Sequence, residues 1–237
     1  MSNVPLFINE FRSDGRKANE NRPVHIKIDV IKNSTGSCEY TMGETKVIAW
    51  IEGPKDSRKQ NQENIGTIKC YFTEAPFSYM IRKNDFKRDL KMKDFSYTLK
   101  NIFEEVIRLE LYIKSEIIIN ALVLQNDGNF KGATVNAITM ALINAGIYIK
   151  DTVIGMCVGV TEEEKVIYDL ILSEEKNNIP IINVAFLPHS KKFIYTEIIN
   201  SKIKYSKVEV LMKEAEIAAM LLYDEEDKYL KKDYINK

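Results

Sequence analysis

The sequence predicts an α+β fold, mixed sheets of antiparallel strands covered by helices, on three observations. Val24, Ile26, Ile28 and Val30 alternate with His25, Lys27 and Asp29, the period of a half-buried strand. Phe95, Leu99, Ile102 and Val106 recur at the spacing of an amphipathic helix. The strands come in groups followed by helices, the order of a sheet covered on one face.

Each element follows from local chemistry. After the alternating strand at 24–30, the turn residues "NSTGS" lead into a second strand at 38–42. "TKVIAWIEGP" is a third, more apolar and so more central, with Trp50 in the core and Gly53-Pro54 as its stop. A polar loop at 55–64 precedes a strand at 65–72 and the basic segment "RKNDFKRDLKMK", and the helix then runs from Asp94 to about Leu111. "EIIINALVL" reads as a strand buried on both faces. In the next helix Ala133, Ala137, Ala141 and Ala145 form an i, i+4 row that lets a neighbour approach closely, and Gly146 supplies a stop. Strands are expected at 153–161, 165–172, 181–187 and 192–199. A last helix opens on the capping box Ser206 to Glu209 and buries Val208, Leu211, Ala215, Ala218 and Leu222.

Composition removes whole classes of function. With 34 basic and 34 acidic residues in 237, the chain is no polycation, so any nucleic-acid contact is local. Its N-terminus has charges and a proline where a signal peptide needs an apolar run, and no apolar run is long enough for a bilayer, so an intracellular, soluble protein without membrane partners is expected. Cys38, Cys70 and Cys157 are far apart with no C-x-x-C, which argues for free thiols rather than disulfides or zinc. His25 and His189 stand alone in sequence. Neither a metal site nor a cofactor motif is present.

The stretch "VLQNDGNFKGATVNAITMALINAGI" runs from an apolar segment through a glycine-punctuated loop into a helix. Such loops hold phosphate, because unpaired backbone N–H groups and the helix dipole both face the anion. Together with "FRSDGRKANENRPV" and "GSCEYTMGETKVIAWIEGPKD", in this order and over nearly the whole chain, it resembles the ribonuclease PH family and, within it, the exosome core. The resemblance implies a single domain over 1–237 of the ribosomal protein S5 domain 2-like fold. It also implies a six-membered ring of such subunits, RNA-binding cap subunits, a separate nuclease, single-stranded RNA in the channel, and a nuclear (nucleolar) and cytoplasmic location.

That resemblance can be tested residue by residue. Active relatives hold phosphate with a small hydroxyl residue and an arginine, where this chain has Asn129, Phe130, Lys131 and Gly132; Phe130 is expected to fill the anion's space and Lys131 to supply charge without arginine's fork. The family's acidic pair, six residues apart, falls on Glu175 and Ile181, and isoleucine transfers no proton. Asp169 matches a strand-end aspartate with a structural role. Arg12 and Arg16 either bind RNA or anchor the N-terminal segment. Residues 82–93 carry a local net charge of +4; a solvated loop is the usual reading, but the resemblance places Lys87, Arg88 and Lys91 on the RNA path. The expected function is therefore a catalytically silent exosome-core subunit that guides RNA to a separate nuclease, the alternative an active phosphate-dependent 3′-to-5′ exoribonuclease.

Overall fold

The computed structural model describes residues 7–8, 11–57, 65–79, 90–161, 165–177, 179–199 and 205–235. A short antiparallel ribbon, β1 (Phe7–Ile8) and β2 (Phe11–Arg12), opens the chain. A five-stranded sheet follows, built from β3 (Val24–Ile28), β4 (Gly36–Met42), β5 (Thr45–Asp56), β6 (Thr67–Glu74) and β7 (Ser115–Gln125) in the order β3-β4-β5-β7-β6. Every neighbouring pair is antiparallel except β6 and β7. The sheets of antiparallel strands expected from sequence are observed, with one parallel pair at this edge. The connection from β6 to β7 contains helix α1 (Leu90–Val106), and a helical crossover returns the chain in the same direction.

Gly53-Pro54 does not stop β5, as expected, but lies in an irregularity between Glu52 and Lys55 where the ladder to β7 skips, so proline's missing N–H interrupts no pairing. Trp50 is likewise corrected. On β5, Val47, Ala49 and Ile51 are fully buried under the helices while Lys46, Ile48, Trp50 and Glu52 point to the opposite face and are half-exposed. The strand's two-residue period, not its overall apolarity, decides which side chain is core. Helix α1 begins at Leu90 and ends at Val106, after which Ile107 pairs with Ile149.

The second sheet, all antiparallel, has the order β11-β10-β8-β9, with β8 at Ile154–Val160, β9 at Val166–Tyr168, β10 at Ile181–Leu187 and β11 at Lys192–Ile199. A strand continuing to residue 172 was expected here. Asp169 instead adopts a left-handed φ of 47°, the chain turns, and the short helix α3 (Leu172–Glu175) forms. Helix α2 (Phe130–Asn144) packs against β4, β5 and β8, so it contacts both sheets, and every residue from Gly132 to Leu142 is buried. A helix apolar all round is one enclosed all round.

The alanine row admits one close neighbour and Gly132 admits another. A Cβ at Gly36 would lie 2.3 Å from the Ala145 nitrogen, and one at Gly155 would lie 2.6 Å from the Gly132 carbonyl oxygen, so strands β4 and β8 both touch the helix backbone. Gly155→Ala must push these elements apart. A loss of about 1–3 kcal/mol is expected from overpacking, read as a lower urea midpoint with an unchanged slope.

Helix α4 (Tyr205–Ile235) covers the second sheet with Leu211, Ala215, Ala218 and Leu222, all fully buried. It already runs through Ser206, so the expected capping box does not open it, because a cap residue stands outside helical geometry. Further along, fully buried Glu226 accepts a hydrogen bond of 2.5 Å from Tyr40 Oη, which in turn accepts one from Asn136 Nδ2. Burial pushes the Glu226 carboxyl up to about 8. The folded chain then holds a proton that the unfolded chain has released, so stability is full below the ordinary carboxylate range and falls as pH rises toward about 8. The slope is expected to reach ~1.4 kcal/mol per pH unit and to vanish in Glu226→Gln; urea titrations across this window read it directly.

The three cysteines are free, Cys38 and Cys157 buried and Cys70 half-buried. Among the described residues, no helix is long and apolar enough to cross a membrane.

Candidate phosphate and RNA site

The site is built on a buried carboxylate. Asp169 is fully enclosed and accepts bonds from Arg22 Nε and Nη2, both at 2.7 Å, from the Arg22 backbone nitrogen at 3.0 Å, and from Asn129 Nδ2 at 2.8 Å. Burial works to raise its pKa, but Arg22 and Asn129 outweigh it and hold the group below the usual carboxylate range. Arg12, also buried, grips Glu174 through Nε at 2.8 Å and Nη2 at 2.5 Å and donates to the carbonyl oxygens of Tyr168 and Asp169. Arg16 binds Asp14 and the Asp169 carbonyl. Of the two readings of Arg12 and Arg16, the anchor is the one observed. These side chains lock the N-terminal segment onto the turn after β9.

That anchor shapes the glycine loop. Gly128, at φ 91°, lies so close to the chain after β9 that a Cβ would meet the Leu170 carbonyl oxygen at 2.4 Å. Asn129 follows in the left-handed region at φ 49° and turns its side chain down to Asp169 instead of capping α2. Its backbone N–H donates to Glu175 Oε1 at 2.8 Å. The N–H groups of Phe130, Lys131 and Gly132, in the first turn, have no acceptor within the helix. Burial raises the Glu175 pKa, against the Asn129 N–H and the Arg22 charge, which lower it. A carboxylic acid thus stands at the positive end of a helix, with a proton easier to retain than in water.

Glu175 and Ile181 do converge, as their positions in sequence imply. Both line a cavity of about 160 Å³, with Asn129, Phe130, Lys131, Asn183 and Ile199 as its other walls. At roughly 30 Å³ per water, that is room for about five waters, or one tetrahedral oxyanion. The expectation that Phe130 fills this space is corrected. Its ring joins Phe72 and Phe95 in an aromatic cluster, with centroids 6.1 Å from each, and so forms one wall. Aromatic rings reward that packing more than a hydrated cleft would.

Lys131 Nζ is 2.5 Å from Glu197 Oε2 and lies over the Phe95 ring at 5.6 Å. Burial works to raise Glu197, yet Lys131, Asn183 and Tyr195 together hold it below its usual value. Lys91 is exposed at the rim of an adjoining cavity, whereas Lys87 and Arg88 lie outside the described residues. Two residues that line these cavities escape sequence reasoning. Asn183 leaves a trace, the one polar residue in the run "IINVAFL" of β10, but Glu197 on half-exposed β11 leaves none.

The 3′ exoribonuclease family, domain 1 (RNase PH), matches residues 20–148. The exosome complex component ski6 of Schizosaccharomyces pombe is 32% identical over 195 residues, 81% of this chain and 80% of that protein. The exosome complex component Rrp41 of Pyrobaculum islandicum is 31% identical over 192 residues, 80% of this chain and 78% of that protein. Among solved structures, the Archaeoglobus fulgidus exosome with RNA bound to the active site superposes with a TM-score of 0.79 at 16% identity, covering 91% of this chain and 92% of that one, a likeness of fold. The match to a family of 3′ exoribonucleases, with Rrp41-type relatives over four-fifths of the chain, overturns the expectation that this chain is catalytically silent. The physical reason lies in the same place. Phe130, Lys131 and Ile181 depart from the family pattern, while Glu175 in its desolvated setting and an open cavity both persist.

Proposed function

This chain belongs to the RNase PH family of 3′ exoribonucleases, and on that premise we propose that it is a phosphate-dependent 3′-to-5′ exoribonuclease subunit of an exosome-type ring. The observation that carries the proposal is Glu175, a carboxyl whose pKa burial raises, on the wall of a cavity whose other walls offer helix N–H groups and Lys131. Inorganic phosphate seated there would attack the terminal phosphorus of the RNA. The bond to the preceding 3′-oxygen breaks, and Glu175 gives that oxygen its proton as a nucleoside diphosphate leaves. The helix N-terminus steadies the charge on the equatorial oxygens, joined by Lys131 as it exchanges Glu197 for the phosphate. Ile181 gives the same cavity an apolar wall.

Exosome naming of the relatives supports a ring of RNase PH-like subunits around RNA, with the whole chain as one such domain. Lys91, with Lys87 and Arg88 of the same basic segment, would meet RNA phosphates without regard to sequence and with strong salt dependence. The test is incubation of the purified chain, alone and in its ring, with oligo(A), phosphate and magnesium. Phosphate-dependent release of nucleoside diphosphates is expected. Its absence under both conditions would sink the proposal.

A further inference from the structure

A second cavity, of about 550 Å³, adjoins the first between the start of α1, the end of β6 and the end of β11. The two share Phe130, Lys131 and Ile199 as walls. Its volume is in the range that holds small organic ligands. Phe72 and Phe95 meet edge to face at 4.8 Å, both almost fully buried, and Phe130 completes the cluster. Phe130 and Tyr195 are only half-buried, so ring surface remains open on the cavity. Lys131 holds its charge where the two cavities meet.

A cradle for an oxyanion, a cation and an aromatic wall, in that order, match the parts of one nucleotide. We propose that the larger cavity seats the base at the 3′ end of the RNA, stacked on Phe130, while its phosphate linkage lies toward Lys131 and the smaller cavity. The inference rests on the reading of this site as one for RNA and phosphate. Stacking tolerates any base, because every base has a π-face, but it grows with ring area. The 3′ end is therefore graded here, purines ahead of pyrimidines and an abasic end last. Phe130, which looks like damage to a phosphate loop, sets that grading.

The experiment uses oligonucleotides identical except for a 3′-terminal A, G, C, U or abasic residue. Binding is followed by fluorescence anisotropy without phosphate, and with it the release of the terminal residue as a diphosphate, nucleoside or abasic. The A-ended RNA is expected to bind about tenfold more tightly than the abasic one. Phe130→Ala should bring the two within about twofold, and so should Phe130→Leu, which keeps apolar volume but has no π-face; urea midpoints confirm that both variants fold. If the wild-type chain binds A-ended and abasic RNA equally, or both variants weaken the two alike, the pocket is wrong. Base-dependent binding without any diphosphate release would overturn phosphorolysis and leave the pocket standing. Release that is indifferent to the terminal base, with equal binding, would do the reverse.

Discussion

Glu175→Gln is expected to lower phosphate-dependent release of nucleoside diphosphates by about 10²–10⁴-fold, the span that removal of a positioned proton donor usually costs. Glutamine keeps the shape and an oxygen that accepts the Asn129 N–H, so the loop geometry survives while the transferable proton does not. The sign on stability is opposite to that on rate. The folded pKa of Glu175 lies above its unfolded value, so the ionised form penalises the fold and stability falls as pH rises past the ordinary carboxylate range. The neutral glutamine escapes that penalty and should melt no lower than wild type near pH 7. Single-turnover assays beside thermal melts separate the two effects, and activity within threefold of wild type would dismiss Glu175 as the donor.

Asp169→Ala should be the most damaging substitution for the fold. It leaves buried Arg22 with only the half-exposed Asp127 carboxylate, 3.8 Å away, as an ionic partner, removes the anchor of Asn129 and frees Arg16 from a neighbouring charge, for a loss on the order of 3–5 kcal/mol. Because the folded pKa of Asp169 is depressed, its contribution is present above the unfolded pKa and disappears as pH falls through the folded one. Urea titrations at neutral and at strongly acidic pH should therefore show the wild-type and variant curves converging as pH falls. A variant with an unchanged midpoint at neutral pH would remove Asp169 from the centre of the site.

Much of this molecule is legible in its sequence because the signals are local. Alternation finds β3 to within a few residues, apolar runs and turn residues mark β4 and β10, and the alanine spacing of α2 announces the close approach of Gly36. The failures are long-range. Whether Lys131 faces a phosphate or a carboxylate depends on Glu197, 66 positions away, and the fate of Phe130 depends on Phe72 and Phe95 on two other elements. The direction of β6 was hidden for the same reason, since pairing is settled by the crossover and not by the strand's own residues. The expectation of lost catalysis failed in another way. It matched residue types at Phe130, Lys131 and Ile181, whereas proton transfer depends on the surroundings of the carboxyl that remains.

The arginine clamp also dictates an order of events during synthesis. Arg12 meets Glu174 across 162 positions, and Arg22 meets Asp169 across 147, so the two buried carboxylates that these arginines grip arrive only when about three-quarters of the polypeptide has left the ribosome. Contacts of such long separation are slow to close. Until then the glycine loop has Thr45 and Arg22 against its carbonyls, but Asn129 lacks the carboxylate that turns its side chain down. A nascent chain cut short before β9 therefore carries every residue of that loop and still cannot cradle an anion.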